Sequence, residues 1–145
     1  MIFLLKKTAP LFFLWTLMIS SCAQTEISKL EGNWRIVWLN DLSNTDIYIW
    51  QFEGGELTII RYQPSSPNAP EIAGRAQYKT STEFLDARVT ISGHTQSVST
   101  GAVISMLSNG AWMIDKVNNK HMRLSTTDQL GSNGSYVIRE FERAD

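Results

Sequence analysis

Cysteine is almost absent from this 145-residue chain, in which Cys22 stands alone. No internal disulfide can form, and no cluster of thiolates can hold a metal. Histidine is nearly as scarce: His94 and His121 fall on separate predicted segments, so no shared metal site is expected. There is no Gly-x-Ser-x-Gly elbow and no paired-histidine spacing. No internal repeat, charge block or convincing helical period appears. The apolar run 11–19 is shorter than the roughly 20 residues that a bilayer core requires, and Pro10 sits near its start. Basic charge is not in excess, with 13 Lys and Arg against 14 Asp and Glu. Nucleic acid, which needs a basic face, is therefore not an expected partner.

What is present begins with a leader. Lys6 and Lys7 give a cationic start, the apolar run follows, and Ile19-Ser20-Ser21-Cys22 closes it. That order resembles a bacterial lipoprotein signal peptide, with an aliphatic residue and two small ones before an acylated cysteine. The resemblance implies removal of residues 1–21 and a new N-terminus at Cys22, held in the lipid bilayer by acyl chains. Ala23 in the next position goes with outer-membrane sorting among such lipoproteins. A reactive thiol at Cys22 is the competing reading, and its place at the end of the apolar run favours lipidation. Residues 22–29 then read as lipidated cysteine and polar tether, and 30–145 as one folded domain. The mature chain carries eleven basic and fourteen acidic residues, a net charge of −3.

Beyond the tether, short apolar and β-branched runs alternate with turn signals, which predicts an all-β fold. About nine candidate strands are legible: 34–39, 47–53, 56–62, 72–79, 84–92, 102–107, 111–117, 121–125 and 136–142. Gly54-Gly55, Asn109-Gly110 and Asn118-Asn119 suit tight hairpin loops, whose positive φ selects Gly and Asn. Tight pairing across Gly54-Gly55 places Tyr48, Trp50, Phe52, Leu57, Ile59 and Arg61 on one face. Pairing across the two Asn loops places Met106 opposite Met113, Asp115 opposite Met122, and Met113 opposite Leu124. The segment 63–72, with Pro64, Pro67 and Pro70, reads as a stiff surface loop, the alternative being a polyproline docking peptide.

Leu30-Glu31-Gly32-Asn33-Trp34 opens the folded part, and its Gly32-x-Trp34 resembles the entry motif of the lipocalins. That resemblance implies a small antiparallel up-and-down barrel of about eight to nine strands, lipocalin-like (calycin-type). It also implies that an arginine of the last strand, Arg139 or Arg143, packs across Trp34 beside Gly32 and closes one end. Arg139 is taken as the barrel-closing residue.

A barrel of this size is filled by side chains or holds one small ligand. Adaptable methionine suits a variable apolar pocket. The expected activity is binding of a small hydrophobic or amphipathic ligand, with Trp50, Phe52, Ile59, Met106, Met113 and Met122 lining the cavity. Simple core packing of the same residues is the competing reading. Asp115 with Arg61 is expected to mark the polar end of the site, since a carboxylate among apolar groups needs a partner. No cofactor and no catalysis are expected: Ser92-Gly93-His94, Ser97 and Ser99 lack an aligned base and orienting group, and Glu83 and Asp86 read as the wet face of a strand. The alternative is a closed β-domain acting as a structural or interaction module, recognising an unidentified envelope protein through exposed Trp38 and Trp112.

Overall fold

A computed structural model describes residues 25–37, 46–83, 86–96, 109–126 and 137–144. Cys22, Trp38, Met106 and the strand expected over 102–107 lie outside the described residues. Eight strands form one closed antiparallel barrel in up-and-down order: β1 (Gly32–Val37), β2 (Ile47–Glu53), β3 (Glu56–Gln63), β4 (Ser66–Glu83), β5 (Asp86–Gln96), β6 (Gly110–Val117), β7 (His121–Thr126) and β8 (Ile138–Arg143). β8 returns to β1, pairing Phe141 with Ile36 and Arg143 with Trp34.

Alternation of large apolar and polar residues builds the wall. Along β2, Tyr48, Trp50 and Phe52 are buried while Ile47, Ile49 and Gln51 look outward. The turn to β3 is as expected: Gly54 and Gly55 have φ of 57° and 88°, and Glu53 pairs with Glu56. Two successive positive φ values are what a tight hairpin requires and what glycine supplies without strain. The face predicted from that turn is formed, with Tyr48 opposite Arg61, Trp50 opposite Ile59 and Phe52 opposite Leu57.

Three elements differ from expectation. The tether expected up to Lys29 includes a helical turn, α1, over residues 25–30, too short to show a helical period in sequence. Leu30 is fully buried and Ile27 packs on the core, so α1 belongs to the fold. The proline-bearing segment is the start of β4 and not a loop: Pro64 sits in the β3–β4 turn and Ser66 pairs with Gln63. Pairing resumes at Glu71 opposite Arg61, so residues 67–70 face Tyr62 alone. Prolines 67 and 70, lacking an N–H, fall where the ladder is interrupted.

The third difference reorders a face. The β6–β7 loop is centred one residue later than expected, because Asn118 Oδ1 accepts from the amides of Lys120 and His121, both at 2.8 Å. More consequentially, Ile114 pairs with Leu124 and Lys116 with Arg123, leaving Asp115 as the extra residue of a β-bulge. A bulge reverses which side chains point inward beyond it. Trp112 and Ile114 therefore enter the core, and Met113 and Asp115 do not. Met113 pairs with Arg88 of β5, so β6 lies between β5 and β7.

Candidate functional site

One end of the barrel is shut. Gly32 (φ 120°) begins β1 there, and a Cβ at that position would lie 2.4 Å from Arg143 Nη2. The Arg143 guanidinium sits 4.7 Å from the centroid of the Trp34 ring, a cation–π contact. Trp34 Nε1 donates to the Leu30 carbonyl at 2.7 Å, and Arg143 Nη1 donates to the Lys29 carbonyl at 3.4 Å. Arg143 is thus the closing arginine. Arg139, assigned that role from sequence, lies four residues back on β8, opposite Leu124.

Above this closure the interior is filled by aromatic rings. Trp50 meets Phe141 with centroids 5.1 Å apart and Phe52 at 6.1 Å, while Phe52 meets Tyr78 edge-on at 5.1 Å. Trp50, Phe52 and Ile59 have no accessible surface and Met122 has 1%. All four face inward as the sequence predicts. They form a packed floor.

Toward the other end the inward positions become polar. Arg61, opposite Tyr48 on β2, directs Nε to Asp46 Oδ2 at 2.7 Å, and Glu71 Oε2 lies 4.0 Å from its Nη1. The Arg61 and Asp46 side chains are only 12% and 18% exposed. Asp46 is therefore the partner expected in Asp115. Asp115 itself is exposed on the outer wall, accepting from Ser125 Oγ at 2.8 Å with Arg123 Nε at 3.6 Å.

Two further groups mark this polar mouth. On β5, Gly93 and His94 together oppose Ala76, and this bulge lays the His94 ring over Gly74, where a Cβ would meet Nε2 at 2.7 Å. Burial holds the His94 imidazole below its usual pKa. Arg139, inward on β8, is also lowered by burial. Among the described residues His94 Nε2 and Trp50 Nε1 are buried with no hydrogen-bond partner. Interiors ordinarily satisfy such groups, so His94 Nε2, at the mouth, invites a ligand atom or water, whereas Trp50 Nε1 is enclosed by the packed floor.

The remaining candidates are dispersed. His121 lies at the β6–β7 turn of the closed end, far along the wall from His94. Ser92 is exposed opposite Gln77, on the other side of the wall from the His94 ring. Glu83 pairs across the β4–β5 turn with Asp86 and forms an ion pair with Arg88. Trp112, expected at the surface, is 1% exposed core. Among the described residues no group of three His, Cys, Asp or Glu could hold a metal, and no helix is long and apolar enough to cross a membrane. Among the described residues, a recess of about 630 Å³ is lined by Arg35, Ile47, Ile49, Tyr62, Pro64 and Pro67.

Sequence reasoning found Arg61 but missed Asp46, which precedes β2 in a segment with no strand pattern. It weighed His94 only for catalysis and metal binding. The signal available was Gly93-His94 itself, a glycine able to take the positive φ of 67° that a bulge uses. No model of a known protein family matches the chain, and neither a curated protein nor a solved structure is significantly similar to it.

Proposed function

We propose that this is a lipid-anchored protein of the bacterial envelope, held at the outer membrane through acylated Cys22, whose lipocalin-like barrel binds a small hydrophobic or amphipathic molecule without catalysis. The ligand sits at the polar mouth, above the aromatic floor. Its apolar part meets the rim of the core and its polar part meets Arg61, Arg139 and His94. The observation that carries this reading is His94 Nε2, buried without a hydrogen-bond partner at the polar mouth, on the inner side of the wall that also carries Arg61. The Arg61–Asp46 pair adds to it, because removing two charges from water is unfavourable and a packed apolar residue would close the end at less expense.

The test is displacement of a hydrophobic fluorescent probe from a soluble fragment beginning at Gln24, using fatty acids and sterols as competitors. Saturable one-site displacement, weakened in Arg61→Ala and Arg139→Ala variants that keep their far-ultraviolet spectrum, supports the reading. A folded fragment that binds none of them overturns it.

The interaction-module reading keeps one observation in its favour. The outer-wall recess brings Ile47, 45% exposed, together with Tyr62 and Pro67. Exposed apolar groups of this kind mark contact surfaces. A double variant, Ile47→Ser with Tyr62→Ser, that abolishes capture of an envelope protein without changing probe binding would favour it.

A further inference from the structure

We infer that the closed end of the barrel faces the bilayer, so that the polar mouth opens away from the membrane that holds the protein. This inference rests on the lipidation of Cys22 proposed above. Consecutive Cα atoms are 3.80 Å apart, so Cys22 cannot lie more than about 11 Å from Thr25, whatever path the chain takes. Thr25 begins α1, and α1 is fastened in place. Ile27 and Leu30 pack on the core, and the Lys29 and Leu30 carbonyls accept from Arg143 and Trp34. The fastening groups lie at one end of the wall, where β1 begins at Gly32 and where Arg143 N donates to the Lys120 carbonyl of the β6–β7 turn at 2.8 Å.

The opposite end carries Asp46, Arg61, His94 and the β3–β4 turn at Pro64-Ser65. The eight residues of β3 separate the Gly54-Gly55 turn from that end, about 25 Å along the strand. The anchor therefore grips the floor of the barrel on a leash much shorter than the wall is tall. Ligand at the mouth exchanges with the aqueous compartment or with a protein on that side, and not with the leaflet beneath.

The test uses the full chain, expressed in a bacterium, purified with its lipid and placed in phosphatidylcholine–phosphatidylglycerol vesicles. Acylation occupies the only native thiol, so Lys120→Cys and Ser66→Cys each give one labelling site, at the closed end and at the mouth. Both side chains are exposed. With a short-range nitroxide quencher on the lipid head groups, the dye at position 120 is expected to be quenched several-fold more than that at 66. Inserting ten Gly and Ser residues between Gln24 and Thr25 is expected to abolish the difference. Equal quenching, or stronger quenching at 66, overturns the orientation. Failure of the underlying reading looks different: the N-terminal peptide lacks the mass of a lipid adduct, the chain does not float with the vesicles, and both proposals fall.

Discussion

Arg143 lies over the ring of Trp34 with its guanidinium carbon 4.7 Å from the centroid, and the same guanidinium occupies the space where a Cβ of residue 32 would be. Three positions thus hold one another: a glycine that leaves room, an arginine that fills it, and a tryptophan whose N–H is fixed by Leu30. Arg143→Ala is expected to lower stability by about 0.5–1 kcal/mol, the range of an exposed cation–π contact. Gly32→Ala is expected to cost at least as much, since it combines a φ of 120° with displacement of the stack. Urea titrations of both variants check this, and no measurable loss for Arg143→Ala would contradict it.

The Arg61–Asp46 pair and the Asp115 site offer a direct contrast. Asp46→Asn leaves a guanidinium 12% exposed without its nearest carboxylate, and is expected to cost roughly 2–4 kcal/mol. Asp115→Asn, at an exposed bulge, is expected to cost less than about 1 kcal/mol. Equal losses in thermal or urea unfolding would show that the mouth pair is not distinctive.

His94 makes stability depend on pH in one direction. Its folded-state pKa is below the unfolded value of about 6.5, because burial disfavours the charged ring. Its contribution is therefore present above pH 6.5 and is lost as pH falls through that value toward the folded pKa, where the unfolded chain binds the extra proton. His94→Gln is expected to flatten this part of the profile. Gly74→Ala, which pushes on Nε2 from 2.7 Å, is expected to drive the ring outward and raise its pKa toward normal, as read by proton NMR titration.

Trp112 tests the bulge. With Asp115 as an extra residue the indole is core, and Trp112→Ala is expected to cost about 3–5 kcal/mol. Met113→Ala, on the other side of the wall, is expected to cost much less. The opposite ranking would restore the unbulged register.

These contrasts show what the sequence could and could not disclose. The Gly54-Gly55 hairpin was legible because its turn chemistry is specific, and with it came the inward face from Tyr48 to Arg61. The Gly32-x-Trp34 entry and its stacking arginine were legible as a pair, although two arginines of β8 competed for the role. The bulge at Asp115 was not legible, because no glycine marks it and the apolar run from Ala111 to Ile114 fits the core with either alternation. One silent extra residue exchanged Met113 for Trp112 in the core. The mouth was half legible for a related reason: Arg61 sits on a patterned strand, whereas Asp46 reaches it from outside any pattern.

The return of β8 to β1 has a consequence wherever copies are crowded together and neighbours collide constantly. A sheet with a free edge would offer unpaired amides and carbonyls to every neighbour and could add strands from other molecules. Here each described strand is already paired with two neighbours over part of its length, so the ladder offered to a crowding copy is confined to short stretches such as the end of β4.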